Sequence, residues 1–587
     1  MSNRLSNIIA FCFLIFLFLI AVFSMRDDSL TMDEVAHLPA GYSYLIQKDM
    51  RLNPEHPPLI KDLSAIPLLF IKDIKFPSEI KDWKDDVNGQ WGFGYNFLYQ
   101  NGNPVDKMIF WARIPMILVL ILLGIYVFRW ARELFGNKTA VLSLFLFSFS
   151  PTFIAHGRLV TTDVGAATGA FIALYYFVKF LKSNSNLNLI KSGIALGLAE
   201  LVKFSLILLL PTFAILVFCW AIARSFYFRQ FLKNLIHYGL LFILILVVAY
   251  VLVWLFYQFH TWNYPPERQA RDTDFILTSF PLKSLSKLLI WMAQKPILRP
   301  MAQYLLGLFM IFQRAAGGNT TYFLGEVSAA GWKTYFPVVY AIKEPLAFHI
   351  LLIIALLHTS WLIKRPFWQQ PWQRIKLWLS YRFSEFAMLV FIVIYWLTSL
   401  SSNLNIGVRH LLPVFPFTIL LVSSVIIQWL KPPFSKIKKP LLFLLLLWQL
   451  ASVIFIYPHF LAYFNEIAGG PDQGYVLTVD SNLDWGQDLK RLTKWVEENK
   501  INNIYVDYFG GGDAKYYLKE KFLPWSGTNN PSELPKGSYL AVSATFLQGG
   551  RGEPVPGFNQ NHGYYLWLNQ YTPLTTIGHS IFVYHIE

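Results

Sequence analysis

The chain has 587 residues, of which 55% are hydrophobic and 14% charged. Soluble domains carry about a quarter charged residues, so this balance excludes an ordinary water-soluble fold. The net charge of +15 does not point to nucleic acid, because the Lys and Arg residues concentrate in short links between apolar blocks. Cys12 and Cys219, the only cysteines, sit inside such blocks, so neither a disulfide framework nor a thiolate metal site is available.

The first apolar block, 8–25, follows Arg4 and lacks a small-residue cleavage site, so it reads as an uncleaved span. Blocks suited to crossing about 30 Å of hydrocarbon follow at 110–128, 139–157, 163–181, 191–203, 205–221, 235–257, 345–363, 385–402, 411–430 and 440–457. That makes about eleven spans, with the fifth and sixth divided at Lys203. Gly165 with Gly169, and Gly193 with Gly197, have the spacing that lets helices approach closely.

With this division the basic links fall on one side: Arg129, Arg132 and Lys138; Lys182 and Lys191; Arg224, Arg229 and Lys233; Lys364–Arg382; and Lys431–Lys439. The positive-inside rule then puts the N-terminus in the cytoplasm of a cell whose inner (plasma) membrane holds the chain. Three regions lie opposite: the loops 26–108 and 258–340, and the stretch from 458 to the end. The expected organisation is a transmembrane domain over 1–457 and an extracytoplasmic α/β domain over 458–587. In the latter, a helical stretch over Asp484–Lys500, with Leu489, Leu492, Trp495 and Val496 on one face, alternates with strand-like runs at Ile504–Phe509 and Ser538–Ser543.

Chemistry-bearing residues gather at the outer ends of spans. Asp33 and Glu34 precede Val35, Leu38, Tyr42 and Leu45, whose helical spacing suggests a segment lying along the interface with a carboxylate at the depth of a lipid phosphate. Glu55 and His56 follow in Asn53-Pro54-Glu55-His56-Pro57-Pro58-Leu59. The turn His156–Asp163 holds Arg158 and Asp163, the latter either a helix cap or a second acidic group. Lys203, Lys343, Arg409 and His410 either snorkel to headgroups or converge as an anion site, for which Arg offers bidentate phosphate contacts. Asp480 and Asp484, beside Trp485, could contact a sugar or an acceptor, but the favoured reading of Asp484 is the cap of the helix that follows, and the pair stays outside the catalytic residues.

In order and sidedness these pieces resemble the GT-C superfamily of membrane glycosyltransferases, near glycosyltransferase family 39, which includes protein O-mannosyltransferases and the lipid A aminoarabinose transferase. The resemblance rests on Asp33-Glu34, Glu55-His56-Pro57-Pro58-Leu59, Arg158 with Thr162-Asp163, and Gly197-Leu198-Ala199 leading to Lys203. It continues through Gly325-Glu326, Gly331-Trp332, Tyr335-Phe336-Pro337, Lys343, Arg409-His410 with Pro413, and Asp480-Ser481-Asn482-Leu483-Asp484-Trp485-Gly486. Two departures stand out: Val202 precedes Lys203 where the family often has Thr, and His56 stands where Lys is frequent.

The resemblance implies a polytopic α-helical membrane protein with a small carboxy-terminal α/β domain. It also implies transfer, with inversion, of a sugar from a polyprenyl-phosphate donor to a hydroxyl or phosphate acceptor on a protein, lipid or glycan. Asp33 is then the expected base, with Asp163 orienting the acceptor or supporting the first site. Glu34, Arg158, Lys203, Arg409, His410, Lys343 and His56 are the expected substrate contacts. A leaving phosphomonoester is a stable anion, so no cofactor is required. Glu55 and His56 remain the weak candidates for a divalent ion, since two neighbours do not complete a site. The competing reading is a polytopic transporter or flippase of a lipid-linked saccharide, but ionisable residues gathered at span ends rather than mid-span, and the lack of matching halves, argue against it.

Overall fold

The helix boundaries follow local chemistry. Ser2 accepts the Leu5 amide and starts Asn3–Ser24, and Gly136, at φ +84°, breaks Val105–Phe135 from Asn137–Ser148. Ser150 accepts the Phe153 amide and Pro151, with no N–H to leave unpaired, opens Pro151–Gly157; the two helices flanking this break differ in direction by 62°.

The computed structural model describes residues 1–363 and 370–587. Among these, nine helices are long and apolar enough to cross a membrane, and the bent pair 137–157 makes a tenth. The fifth apolar block, 191–203, becomes Asn186–Glu200, whose 15 residues fall short of a full crossing. It packs between Asp163–Ser183 and Phe228–His260. The division at Lys203 is present: this residue is extended between Asn186–Glu200 and the turn Phe204–Leu208 that leads into Leu209–Ala223. Lys364 and Arg365, which open one of the basic links, lie outside the described residues.

The chain is a multi-pass membrane protein, and burial sorts its helices. The most apolar stretch of Asp163–Ser183 is 78% buried inside the protein, whereas that of Phe228–His260 is only 17% buried and presents its side chains to lipid. The two glycine pairs serve close packing. A Cβ on Gly193 or Gly197 would come within 3.0 Å of the carbonyl oxygen of Ile245 or Ala249 respectively.

The connections at one end of the bundle are folded. The helix expected to lie along the interface, Glu34–Gln47, is instead buried nearly all round, from Val35 and Leu38 to Ala40 and Tyr44. Helices Pro266–Ile276, Lys283–Ala293 and Arg299–Gly317 follow Phe228–His260, and the strands β1 (Thr321–Phe323) and β2 (Glu326–Ser328) come next. In the carboxy-terminal region, β3 (Ile504–Asp507), β4 (Phe522–Pro524), β5 (Tyr539–Ser543), β7 (Thr575–Ile577) and β8 (Ile581–His585) form a sheet of order β4-β3-β5-β8-β7. Its first three strands are parallel, and β8 is antiparallel to both neighbours. Helix Leu489–Glu498 buries Leu489, Leu492 and Val496 in a core shared with this sheet. The two-residue β6 (Glu553–Pro554) pairs with β2 and ties the two regions together.

Candidate active site

Asp33 immediately precedes helix Glu34–Gln47, and its Oδ2 accepts from Arg409 Nη1 at 2.7 Å. The same Arg409 nitrogen lies 3.4 Å from Asp163 Oδ2, and Lys203 Nζ donates to Asp163 Oδ1 at 2.6 Å. Asp163 is the first residue of its helix, with Thr162 at the N-cap, and its side chain is spent on these two cations. Two carboxylates and two cations thus alternate in a chain that is close to electroneutral. Burial raises the Asp33 carboxyl, but the Arg409 charge and hydrogen bond outweigh it and hold the group below the usual carboxylate range.

Arg409 is aimed by the turn 480–485. Its Nε donates to Ser481 Oγ at 3.1 Å, and its guanidinium lies 4.1 Å from the centre of the Trp485 ring. Asn482 Oδ1 accepts the Val408 amide at 2.9 Å. Gly407 permits this approach: at φ +122° it leaves a gap where a Cβ would lie 2.3 Å from Ser481 Oγ.

Two cavities meet at this cluster, and Asp33, His56, Arg314, Ile406 and Arg409 line both. One, of about 410 Å³, runs along apolar side chains including Leu208, Leu308, Ile311, Phe312 and Phe336, and ends at Lys203, Arg314, Arg409 and His410. The other, of about 380 Å³, is walled by polar and aromatic groups from the first loop and the carboxy-terminal region. Burial and nearby cations hold the His56 imidazole well below its usual value, so it is neutral at physiological pH. Its ring meets that of His37 edge-on at 5.0 Å, and His37 Nδ1 lies 3.0 Å from the Val160 carbonyl.

Glu34, Arg158 and Lys343 are committed elsewhere, and neither cavity is lined by them. Glu34 binds Arg113 Nε at 2.9 Å and Nη2 at 2.6 Å, and it also accepts the Val160 and Thr31 amides, both at 2.9 Å. Burial raises its carboxyl, yet Arg113 and these donors hold it below the ordinary value. Arg158 is fully buried against Asp28, 2.9 Å away, and Asp28 in turn pairs with Arg491 at 2.8 Å. Lys343 donates to the carbonyls of Leu461, Tyr463 and Asn482 at 2.5–2.9 Å, binding its helix to the carboxy-terminal region. In this geometry Glu34, Arg158 and Lys343, the expected substrate contacts, are each engaged by a buried partner instead of facing either cavity. Asp484 does not cap the helix that follows it, since Leu489–Glu498 starts five residues later; its Oδ2 instead accepts the Thr545 amide at 2.8 Å, in the first turn of Ala544–Arg551.

Glu55 faces the polar cavity, but its oxygens accept the side-chain amides of Asn88 and Gln90. Among the described residues no three His, Cys, Asp or Glu side chains gather as metal ligands. Arg314 escaped the reading from sequence. It lies on Arg299–Gly317, whose Leu308, Ile311, Phe312 and Ala315 recur at i, i+3, i+4 and i+7 along the apolar cavity. That stripe is visible in the sequence. No carboxylate lies within ion-pair distance of Arg314 among the described residues, unlike Lys203 and Arg409.

A family model described as dolichyl-phosphate-mannose-protein mannosyltransferase matches residues 101–254. Over that stretch, about a quarter of the chain, the match bears out the resemblance to GT-C glycosyltransferases of the protein O-mannosyltransferase type. The chain is also similar to the crystal structure of ArnT from Cupriavidus metallidurans bound to undecaprenyl phosphate (11% identity, 100% of this chain and 98% of that one, TM-score 0.45). A second similarity is to the oligosaccharyltransferase of Archaeoglobus fulgidus in the apo form (13% identity, 93% and 71%, TM-score 0.47). A third is to the Pmt1-Pmt2 protein O-mannosyltransferase complex of S. cerevisiae bound to the sugar donor (20% identity, 45% and 34%, TM-score 0.33). At these scores the similarities assign no residue. Comparison with curated proteins yields no match.

Proposed function

We propose that this protein is an inverting glycosyltransferase that moves a sugar from a polyprenyl-phosphate carrier to an acceptor hydroxyl or phosphate on the extracytoplasmic face of the inner membrane. The observation that carries the reading is the meeting of an apolar cavity, tipped with cations, and a polar cavity at one carboxylate, Asp33. A prenyl chain suits the wall of Leu208, Leu308, Ile311 and Phe312, and its phosphate suits the end held by Lys203, His410, Arg409 and Arg314.

The charges favour this direction of transfer. Asp33, Asp163, Lys203 and Arg409 nearly cancel, and Arg314, with no carboxylate within ion-pair distance among the described residues, adds positive charge at the end of the apolar cavity, where a departing phosphomonoester needs it. The acceptor oxygen attacks the anomeric carbon as the bond from that carbon to the phosphate oxygen breaks. The electron pair leaves with the carrier phosphate, and the acceptor proton passes to Asp33, which its depressed carboxyl keeps ionised and ready to receive it. His56, being neutral, serves as a hydrogen-bonding group at the junction rather than as a phosphate charge. Asp163 braces Lys203 and Arg409; Glu34, Arg158 and Lys343 hold the segments that carry Asp33 and Arg409. No metal is called on in these steps.

The test is transfer of radiolabelled sugar from a panel of polyprenyl-phosphate sugars in reconstituted vesicles, with Asp33→Asn as comparison. Release of carrier phosphate is expected from at least one donor, falling about 10²- to 10⁴-fold in the variant. Near wild-type turnover in a folded Asp33→Asn protein would remove Asp33 from the role of base.

A further inference from the structure

We propose that the polar cavity is a subsite for a saccharide acceptor, with Asp480 accepting from its hydroxyls and Trp91, Phe546 and Tyr564 packing against its ring faces. The proposal rests on the assignment of the apolar cavity to the donor, and it names the chemistry of the acceptor that assignment leaves open.

Asp480 is held as a ligand would need it. It is a non-glycine residue at φ +56°, a conformation that persists only where its surroundings enforce it. Here Thr545 Oγ1 accepts the Asp480 amide at 3.1 Å, the Thr545 amide donates to Asp484 Oδ2 at 2.8 Å, and Thr545 Oγ1 also donates to the Asp484 carbonyl at 3.1 Å. The Asp480 Oδ1 takes the Ser481 amide, while Oδ2 has no hydrogen-bond partner among the described residues. A carboxylate oxygen left open on a cavity wall beside Asp33 and Arg409 is free to accept from a donor, and a hydroxyl is one.

Three aromatic residues complete the wall from separate parts of the chain: Trp91 from Gln90–Tyr95, Phe546 from Ala544–Arg551, and Tyr564 ahead of Leu566–Gln570. Trp91 is 39% exposed, so its indole is not spent on the core. Tyr564 lies on Gly550, where a Cβ would stand 2.6 Å from its ring. Flat apolar faces edged by carboxylate, amide and hydroxyl groups, here Asp480, Asn319 and Thr320, match a pyranose, whose C–H faces are apolar and whose rim is hydroxylated.

Other acceptors fit less well. An alkyl chain would have to desolvate Asp33, Glu55 and Asp480. A peptide main chain seeks a free strand edge, and the wall offers none. Thr321, Tyr322 and Val327 belong to β1 and β2, which pair with each other, and the outer edge of β1 is bridged from Phe323 to Thr478.

The protein in nanodiscs is examined by saturation-transfer NMR with methyl hexopyranosides, an N-acetylhexosamine disaccharide and a Ser/Thr-containing octapeptide. At least one saccharide is expected to receive saturation at its ring C–H protons. Its Kd should rise about tenfold or more in Asp480→Asn and, independently, in Trp91→Leu, a half-exposed position that tolerates exchange. Absence of saccharide binding, equal competition by the octapeptide, or unchanged Kd in Trp91→Leu would overturn the proposal. Carrier-phosphate release to water is measured on the same nanodiscs. Asp33-dependent release without saccharide binding defeats the acceptor assignment alone, whereas saccharide binding without any release defeats the transferase reading.

Discussion

Glu34 provides the sharpest test of how the structure divides chemistry from support. It stands next to Asp33 in the chain, yet its side chain is 1% exposed and is shared among Arg113, itself 1% exposed, and the amides of Val160 and Thr31. Glu34→Gln keeps the shape but removes the charge, and it turns an NH₂ group toward at least one of these donors. Removing one partner of a buried pair costs about 3–5 kcal/mol, because the other charge is left uncompensated. Replacing both with apolar residues, as in Glu34→Met with Arg113→Met, should cost less than either single change. Unfolding equilibria in mixed detergent micelles, run as a double-mutant cycle, measure these differences. If Glu34→Gln unfolds like wild type while donor affinity collapses, the carboxylate contacts substrate and the division drawn above is wrong.

Arg314→Ala should weaken donor binding about tenfold, with little change in unfolding because no ion pair is broken; an unchanged donor Kd, read by titration with a polyprenyl phosphate, would refute the phosphate clamp. Saccharide binding should strengthen as pH rises through about 6. Burial, partly offset by Arg409, pushes the Asp480 carboxyl up to about 6, so it is protonated below that value and a full acceptor above it, whereas Asp33 stays ionised throughout. An Asp480→Asn protein should give a flat profile in the same NMR titration. For orientation, single cysteines at the exposed Asp27 and Lys436, in a background lacking Cys12 and Cys219, should label from outside and inside respectively. Labelling of Lys436 alone in intact cells would reverse the topology.

The membrane fold was legible because span length and charge placement are local properties of the chain. Of the eleven apolar blocks, nine became single helices long enough to cross, 139–157 became the bent pair, and Asn186–Glu200 proved shorter than a crossing. The environment of Glu34–Gln47 was not legible. A spacing of Val35, Leu38, Tyr42 and Leu45 describes one apolar face, but residues between them, Ala36, Ala40 and Ser43, are small enough to be covered by neighbouring segments. A helix in such surroundings is buried by tertiary packing that no local period encodes.

The same limit separates the site residues. Asp33, Lys203, Arg409 and His410 were found because each sits at the end of a span, where a charge is costly unless it has a partner or a task. Glu34, Arg158 and Lys343 satisfy that same criterion, and what distinguishes them is the partner: Arg113, Asp28 and three carbonyls, each distant in sequence. A buried charge with a dedicated counterpart balances its own desolvation and has little left for a ligand. Arg314 is the converse, a cation on an apolar helix with no carboxylate within ion-pair distance among the described residues. A cation at the cavity end without a dedicated ion pair is therefore the one from which a phosphate has most to gain.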